Sequence, residues 1–292
     1  MPYPSPLNAP ILQWYEQNAR DLPWRRPDAT PWGILVSEIM LQQTPVVRVL
    51  PVWEEWMKRW PTPSALAAEP SGEAVRAWGR LGYPRRALRL HGSAAAIVSR
   101  HRGEVPTTYE ELLALPGVGG YTAAAVASFA FKQRHAVLDT NVRRVLARAA
   151  GGVEYPAKAQ TAAELRLAET LLPGEPAVAA RWAVAVMELG ALLCTARTPR
   201  CGACPVRTEC TWRLAGSPAY DGPPRRGQTY AGTDRQCRGR LLAVLRHAEG
   251  PVPKPELDIV WPDPLQRERA LDGLIADGLV DPLPNNHYAL PT

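Results

Sequence analysis

The spacing of apolar residues along the chain predicts a protein built mainly of helices. Apolar positions recur at helical spacing over residues 7–20, and residues 31–44 are apolar nearly all round, which is typical of a buried helix. Three amphipathic helices are predicted between residues 52 and 102, and helical periodicity returns over residues 158–193. We therefore expect an all-α fold.

A hairpin of two helices is predicted within residues 107–145. Its first helix ends at the Pro116–Gly117 pair, and its second begins at Tyr121. Glycines in the turn can adopt positive φ and direct backbone N–H groups toward one point, at which the second helix also directs the positive end of its dipole. Such a site suits an anion, above all a DNA phosphate. A turn without a ligand is the alternative. The candidate phosphate-binding residues are Gly117, Val118 and Gly119.

Glu38 is the one acidic residue in the apolar segment of residues 31–44. It shares a helix face with Ile34, Leu35 and Leu41, so an apolar helix offers it little solvated surface. Most glutamates face solvent, and that remains the alternative for this one. Burial among apolar side chains raises the pKa of a carboxyl group, as a general acid near neutral pH requires.

Four of the five cysteines lie close together, with the spacing C-x6-C-x2-C-x5-C. Four thiolates in one compact loop can hold a cubane iron–sulfur cluster or a zinc ion. A zinc ribbon would normally show two C-x2-C pairs far apart, and this loop has one. Several arginines flank the cysteines, so the loop is expected to present positive charge to phosphate. The candidate ligands are Cys194, Cys201, Cys204 and Cys210, and Cys237 lies outside the pattern.

Composition and charge limit the partners that fit this chain. Its 292 residues are 46% apolar, enough for one large domain or two of ordinary size with real cores. A net charge of +6 suits a polyanionic partner. No secretory signal is visible at the N-terminus, and no apolar run is long enough to span a bilayer. We expect a cytoplasmic protein without a membrane partner.

Several segments resemble the adenine DNA glycosylases of the MutY type, in the helix-hairpin-helix DNA glycosylase superfamily. The segment W-G-x-x-x-S-E-x-M-L-Q-Q-T at residues 32–44 resembles that family closely, and the hairpin followed by residues 138–141 resembles the superfamily. The cysteine spacing is that of the superfamily's 4Fe–4S loop. The resemblance covers roughly residues 8–215. It implies a two-lobed fold with a 4Fe–4S cofactor held by the four cysteines.

The resemblance implies roles for four catalytic residues. Glu38 would protonate the departing adenine, and Asp139, directly after the hairpin, would reach the sugar of a flipped-out nucleotide. Tyr121 stands where the endonuclease III type carries a lysine that forms a Schiff base, which implies base removal without strand cleavage. Tyr121 and Asn141 would support the site and its water.

The resemblance also implies further contacts with DNA. The segment at residues 42–44 resembles the family's wedge, which enters the base stack as the target leaves. The segment at residues 81–83 resembles an element whose tyrosine stacks beside the opposite base. Two positions depart from the family, because relatives carry an Asn and then a Gln or Glu where this chain has Ala183 and Val184. The expected DNA-binding residues outside the hairpin are Gln42, Gln43, Thr44, Leu81, Tyr83, Arg20 and Arg25.

We expect three regions along the chain. They are a glycosylase core over residues 1–215, a linker over residues 216–238 and a C-terminal unit over residues 239–292. Within the core, residues of about 29–138 would form a six-helix lobe with the hairpin, and residues 1–28 with 139–215 would form the cluster lobe.

Residues 239–292 are predicted to form a small winged-helix-like unit of helices and a final β-hairpin around Asn285 and Asn286. The unit has five basic and eight acidic residues, a net charge of −3, which leaves +9 on the preceding 238 residues. A DNA reader concentrates positive charge, and this unit does the reverse. We therefore expect it to pack on the core or on another protein, and to contribute little phosphate affinity.

Together these features predict a monofunctional base-excision repair glycosylase. Its substrate would be double-stranded DNA in which adenine faces 8-oxoguanine or guanine, and the N-glycosidic bond would be hydrolysed. Adenine leaves poorly until it is protonated, and the sugar then passes through an oxocarbenium-like state, so two carboxyl groups fit the chemistry. The alternatives are a mismatch-specific thymine DNA glycosylase and a non-catalytic DNA-binding protein that uses the hairpin alone. We expect a monomer associated with the nucleoid.

Overall fold

The computed structural model describes residues 5–223 and 230–292, and it confirms the all-α prediction. In these ranges none of the helices is both long and apolar enough to cross a membrane. The helices are α1 (Asn8–Asn18), α2 (Pro31–Leu41), α3 (Val46–Arg59), α4 (Pro63–Ala67), α5 (Ser71–Trp78), α6 (Arg85–His101), α7 (Tyr109–Leu113), α8 (Gly120–Phe131), α9 (Thr140–Ala149), α10 (Ala162–Leu171), α11 (Pro176–Leu192), α12 (Thr211–Leu214), α13 (Asp234–His247), α14 (Lys254–Asp258) and α15 (Pro264–Ala276). The strands are β1 (Val252–Pro253), β2 (Asp281–Leu283) and β3 (His287–Ala289).

Several predicted helix bounds were wrong. Helix α2 ends at Leu41 and not at residue 44, because Gln43 takes a left-handed φ of 55°. Residues 46–101 hold four helices and not three. The helical stretch predicted over residues 158–193 is two helices, because the Pro173–Gly174 pair interrupts it. A capping box of Thr161 and Glu164 begins the first of these two.

The described residues divide into two compact units. The first unit contains residues 5–34, 107–113 and 119–223, and the second contains residues 35–106, 114–118 and 230–292. The core and lobe boundaries expected from the sequence stay a prediction. Part of the expected linker, residues 224–229, lies outside the described residues, as do residues 1–4 of the expected core. Helix α13 begins at Asp234, within the range expected for the linker.

The core of the first unit lies where α11 packs on α1 and α9. Ile11 of α1, Val145 of α9, and Ala185 and Leu189 of α11 are almost wholly buried. Helix α9 has one apolar face, and its polar face carries arginines, so the amphipathic pattern fixes which side enters the core. Asp139 caps the start of α9 by accepting a hydrogen bond from Val142 N.

The core of the second unit is rich in tryptophan. The rings of Trp56, Trp60 and Trp78 are buried, and the Trp56 ring centroid lies 4.8 Å from that of Trp60 and 5.7 Å from that of Trp78 in edge-to-face contact. Helices α4 and α5 pack on α6 beside them.

The C-terminal part of the second unit agrees with the predicted winged-helix-like arrangement. Helix α13 packs on α15, and the three strands form an antiparallel sheet in the order β1-β3-β2. Tyr288 of β3 pairs with Val252 of β1 on one side and with Pro282 of β2 on the other. The turn between β2 and β3 contains Asn285 and Asn286, both at positive φ, as the predicted β-hairpin requires.

This C-terminal part packs directly on α5. Arg76 of α5 donates hydrogen bonds to the carbonyls of Arg246 and Ala248, and Arg246 Nε donates to Val75 O at 2.9 Å. Gly72 N donates to Pro291 O at 2.7 Å, and a Cβ at Gly72 would lie 2.3 Å from that oxygen. The predicted packing of residues 239–292 on the preceding chain is therefore confirmed.

Candidate active site

Glu38 lies near the end of a helix that is buried along its length. Residues 32–40 of α2 are all buried, and Glu38 itself is 5% exposed. Its neighbours on the helix include Leu35 and Ile39, which are 1% exposed or less. The alternative of a solvent-facing glutamate is excluded. A carboxyl group in such a setting is suited to donating a proton.

The turn that follows α2 presents one side chain to solvent and buries another. Gln43 is exposed at its left-handed φ, Gln42 is partly exposed, and Thr44 is 6% exposed. Thr44 Oγ1 accepts a hydrogen bond from Arg86 Nη2 at 2.9 Å and lies 3.3 Å from Leu81 O. The two glutamines therefore project from a turn that Thr44 anchors.

The segment before α6 also combines a buried and an exposed side chain. Leu81 is 4% exposed, so its side chain belongs to the core and is not available for the DNA contact that we expected. Tyr83 is 47% exposed and has a positive φ of 48°, which is uncommon for an aromatic residue. Trp78 Nε1 donates to Gly82 O at 2.9 Å, which fixes the bend in front of Tyr83.

The glycine turn of residues 114–118 packs against α6 in the second unit. Gly117 has a φ of 78°, and a Cβ there would lie 2.5 Å from Arg89 Cβ, so both backbone conformation and space require glycine. Ser93 lies on α6, as Arg89 does, and its Oγ donates a hydrogen bond to Pro116 O. Val118 is 7% exposed, so only its backbone is available to a phosphate.

Helix α8 begins at Gly120 in the first unit, with Gly119 at its N-cap and exposed. Residues 122–128 of this helix are buried. Tyr121 is partly buried against an apolar cluster that includes Ala125, Val137 and Ala183. Ala183, one of the two departures from the family pattern, therefore forms part of the wall against which Tyr121 packs.

Asp139 and Asn141 are joined at the start of α9. Asp139 Oδ1 accepts from Val142 N at 2.6 Å, and Asp139 Oδ2 accepts from Asn141 Nδ2 at 2.8 Å. Burial raises the pKa of Asp139, whereas the hydrogen bonds from Val142 and Asn141 and the charge of Arg144 favour the ionised form. Gly190 makes room for this arrangement, because a Cβ there would lie 2.7 Å from Asn141 Cβ.

Arg144 extends this hydrogen-bond chain to the first cysteine of the loop. Its Nη2 donates to Asn141 Oδ1 and to Gly190 O, both at 2.7 Å, and its Nε donates to Cys194 O at 2.7 Å. Asp139, Asn141, Arg144 and the Cys194 carbonyl are thus linked through consecutive contacts. The sequence analysis did not single out Arg144.

The four cysteines of the loop line one pocket that is partly open to solvent. Its walls include the apolar side chains of Leu193 and Val206 together with several arginines. Among the described residues, no three His, Cys, Asp or Glu side chains converge closely enough to hold one metal ion. The four cysteines line this pocket together, as the four thiolate ligands of one iron–sulfur cluster would.

Arg148 fixes the backbone that carries the cysteines. The side chain is buried, and its guanidinium donates to the carbonyls of Glu154, Thr195 and Ala196 at 2.7–3.1 Å. Its Nη1 also lies 3.4 Å from Cys194 Sγ. Burial raises the pKa of the Cys194 thiol, although the contact with Arg148 acts to lower it. Burial also raises the pKa of the Cys204 thiol to about 11. Metal binding offsets such a cost, because a coordinating thiol is deprotonated.

Arg20 and Arg25 bind a carboxylate that the sequence analysis missed. Glu188 of α11 has no exposed side-chain surface, and it accepts from Arg20 Nε at 2.6 Å and from Arg25 Nη1 at 2.8 Å. Burial opposes ionisation of Glu188, but the two guanidinium groups outweigh it and hold its pKa below the ordinary value. The DNA contacts expected of Arg20 and Arg25 stay a prediction.

Two family models match the chain. Residues 36–169 match the HhH-GPD superfamily base excision DNA repair proteins, and residues 194–210 match the iron–sulfur binding domain of endonuclease III. The first match spans α2 to α10, including the hairpin and Asp139. The second begins at Cys194 and ends at Cys210.

Similar proteins extend the likeness to most of the chain. An adenine DNA glycosylase of Mycobacterium tuberculosis is 55% identical over 282 residues, which cover 96% of this chain and 92% of that protein. One of Homo sapiens is 42% identical over 70% of this chain and 38% of its own. Among solved structures, a thermostable thymine-DNA glycosylase aligns with a TM-score of 0.64 at 30% identity, over 70% of this chain and 94% of that one. Endonuclease III in a non-covalent DNA complex aligns with a TM-score of 0.60 at 24% identity, over 70% and 92%, and shares the fold.

Proposed function

Because the chain belongs to the adenine DNA glycosylase family, we propose that it removes adenine paired with 8-oxoguanine or guanine in double-stranded DNA. It is a base-excision repair glycosylase that binds DNA and carries a 4Fe–4S cluster. The choice of mispair and the roles of the individual residues are proposals. The observation that carries the chemistry is the burial of Glu38 in α2.

Glu38 donates a proton to a ring nitrogen of the departing adenine. Protonation makes the base a better leaving group, and a buried carboxyl group holds its proton at neutral pH more readily than an exposed one. The short distance along the chain from Glu38 to the turn at residues 42–44 supports this role. The acid then lies on α2, and the residues expected to displace the base directly follow the end of that helix.

Asp139 stabilises the positive charge that develops on the sugar as the base leaves. Its hydrogen bonds from Val142 N and Asn141 Nδ2 favour the ionised carboxylate that this role needs. Asn141 is fixed in turn by Arg144. The same contacts hold Asp139 Oδ2 in a defined orientation, and a water molecule then completes hydrolysis of the glycosidic bond.

Cys194, Cys201, Cys204 and Cys210 hold the cluster, and the cavity that they line supports this assignment. When bound, the cluster would give the loop structural support, and the hydrolysis that we propose needs no electron transfer from it. Arg200, which lines the same cavity, adds charge at the surface of the loop.

Tyr121 makes the enzyme monofunctional, since a phenol cannot form a Schiff base with the sugar. The exposed Gln43 and Tyr83 and the backbone at Gly117 and Gly119 contact DNA. We further propose that the enzyme acts as a monomer and associates with the nucleoid through this affinity for DNA.

Base release from three duplexes tests the proposal. Single-turnover reactions on A:8-oxoguanine, A:G and T:G duplexes are developed with alkali to reveal abasic sites. Release of adenine from the first two, with strands that stay intact until alkali is added, is expected. Release of thymine from the T:G duplex at the greater rate would instead favour the second candidate, a thymine-mismatch glycosylase, which the structural likeness to a thymine-DNA glycosylase brings into consideration.

A further inference from the structure

Arg86 is a buried arginine with an unusual set of partners. The side chain is 6% exposed, and it lies in the first turn of α6 within the second unit. Burial lowers the pKa of its guanidinium to about 10, and no carboxylate is hydrogen-bonded to it among the described residues. An arginine buried without an acidic partner is costly, so its other contacts need an explanation.

One group of contacts fixes the end of α2. Arg86 Nη1 lies 2.9 Å from Ile39 O and 3.0 Å from Met40 O, and it also donates to Gln42 O. The last carbonyls of a helix have no partner within the helix, so a guanidinium can satisfy several of them at once. The direction in which the chain leaves α2 is therefore set by this side chain.

A second group of contacts fixes the segment that carries Tyr83. Arg86 Nη2 donates to Gly82 O at 3.0 Å and to Thr44 Oγ1 at 2.9 Å, and Cζ lies 5.4 Å from the centroid of the Tyr83 ring. The Tyr83 ring is half exposed and its backbone has positive φ, so local preference alone does not hold it in place.

We infer that Arg86 is a positioning residue that holds the turn at residues 42–44 and the Tyr83 ring in one fixed relation, so that both meet a DNA base pair together. The inference rests on the proposed function and on the roles that the resemblance implies, in which residues 42–44 displace the target base and Tyr83 stacks beside the opposite base. A lysine keeps the charge but cannot reach several carbonyls at once with a planar fork. Both elements would then be free to move independently.

The experiment uses the full-length enzyme with its cluster and Arg86→Lys. A duplex with the fluorescent adenine analogue 2-aminopurine opposite 8-oxoguanine reports unstacking of the target on rapid mixing. A second pair of duplexes carries adenine opposite 8-oxoguanine or opposite an abasic-site analogue, which has no base to displace or stack upon. We expect Arg86→Lys to slow unstacking and release of the paired adenine by roughly tenfold to a hundredfold. Release opposite the abasic analogue should fall by a smaller factor.

Two further variants separate positioning from loss of fold. Arg246→Lys is the matched control, because burial lowers the pKa of Arg246 to about 10 as well and its Nε donates to Val75 O in the same unit. It should lower the melting temperature without slowing unstacking. Thr44→Val removes only the hydroxyl that Arg86 contacts, and it should slow unstacking in the same direction as Arg86→Lys.

The outcomes distinguish this inference from the proposed function. Equal losses on both duplexes by Arg86→Lys, or unstacking at the wild-type rate, overturn the positioning role while the wild-type enzyme still releases adenine. If Arg86→Lys folds too poorly to measure, unchanged unstacking by Thr44→Val overturns it. A wild-type enzyme that releases no adenine from any duplex overturns the proposed function, and the inference with it.

Discussion

The carboxyl groups of Glu38 and Asp139 lie in contrasting surroundings. Glu38 is on a helix whose residues 32–40 are all buried and mostly apolar. Asp139 stands at the start of α9, where Val142 N and Asn141 Nδ2 each donate to it. An apolar setting favours a neutral carboxyl group, whereas donated hydrogen bonds favour a carboxylate.

This difference assigns the roles that two-carboxylate glycoside chemistry needs. One group must arrive protonated and the other must carry negative charge as the sugar becomes positive. The assignment does not follow from residue type, because glutamate and aspartate have similar ordinary pKa values. It rests on the apolar helix around Glu38 and on the hydrogen bonds and the Arg144 charge that favour ionised Asp139 against the cost of its burial.

Replacing Glu38 breaks the acid side of this contrast. Glu38→Gln keeps the size of the side chain but has no proton of suitable acidity to give. We expect single-turnover adenine release to fall about a hundredfold to ten-thousandfold, with duplex affinity retained. The measurement is base release from an A:8-oxoguanine duplex with enzyme in excess, alongside a binding titration.

Glu188→Gln is the matched control for this change. Glu188 is a second fully buried glutamate, but Arg20 and Arg25 occupy its carboxylate. Its replacement should lower the melting temperature, because two guanidinium groups lose a charged partner. A near-normal rate for Glu38→Gln, or an equal loss in both variants once corrected for folded protein, would remove the general-acid assignment.

Replacing Asp139 tests the ionised carboxylate of this contrast, and it separates the effect on activity from the effect on stability. Asn is as good an N-cap as Asp, so Asp139→Asn keeps the start of α9. We expect base release to fall about a hundredfold to a thousandfold, because the negative charge is lost. Single-turnover kinetics and thermal unfolding of the same preparations provide the two measurements.

The sign of the stability change follows from the raised pKa of Asp139. The folded chain binds this proton more tightly than the unfolded chain, so ionised Asp139 subtracts from stability above the raised pKa. That cost is relieved as the pH falls through the raised pKa toward the unfolded value. Asp139→Asn should therefore melt no lower than wild type at neutral pH. Wild-type release should also decline on the acid side as Asp139 takes up its proton.

Asp263→Asn provides the control for the cap itself. Asp263 accepts from Leu265 N and Gln266 N at the start of α15, in an exposed position. Its replacement should leave base release unchanged and should not raise the melting temperature. A clear loss of stability in Asp139→Asn that is absent from Asp263→Asn would contradict the argument that burial of the charge is costly.

The sequence was informative wherever periodicity or backbone chemistry alone decides the structure. The burial of Glu38 followed from an apolar helix with no polar face, and Gly117 was needed for its positive φ. The Pro173–Gly174 pair predicts an end to the helix between α10 and α11. The prediction missed it because apolar residues continue at helical spacing on both sides of the pair. Boundaries of this kind depend on local residues more than on the pattern around them.

Arg86, Arg148 and Glu188 show what the sequence alone did not reveal. A pattern argument treats charged residues as exposed, whereas Arg86, Arg148 and Glu188 are all buried. The partners of Arg86 and Arg148 include backbone carbonyls more than 40 positions away, and those of Glu188 are arginines more than 160 positions away. Only the folded chain brings such groups together.

A third change asks whether the cluster loop depends on Arg148. Arg148→Lys removes the planar group that binds the carbonyls of Glu154, Thr195 and Ala196. We expect iron to be lost several times faster to a chelator, measured by the decay of the cluster's visible absorbance. Arg143→Lys is the control. Arg143 lies on α9, as Arg148 does, but its side chain binds Glu164 of α10 instead of the cluster loop. Equal rates of iron loss in both variants would show that the effect is one of general stability.

The smallest expected effect is on the salt dependence of DNA binding. It distinguishes basic residues of the cluster loop from basic residues of the C-terminal part. Basic residues after residue 238 are engaged locally. Lys254 binds Asp258 and Glu268, and Arg269 binds Asp234. Arg197 and Arg213 of the loop are exposed.

Each phosphate contact contributes about 0.9 to the slope of log K against log salt. Arg197→Gln with Arg213→Gln should therefore reduce that slope for nonspecific duplex by about 1 to 2. Lys254→Gln with Arg269→Gln removes the same formal charge and should change it by less than about 0.5. Fluorescence anisotropy titrations over a series of salt concentrations measure both slopes. If the C-terminal pair gives the larger change, its basic residues leave their carboxylates for phosphate, and the net charge of −3 does not keep this region from DNA.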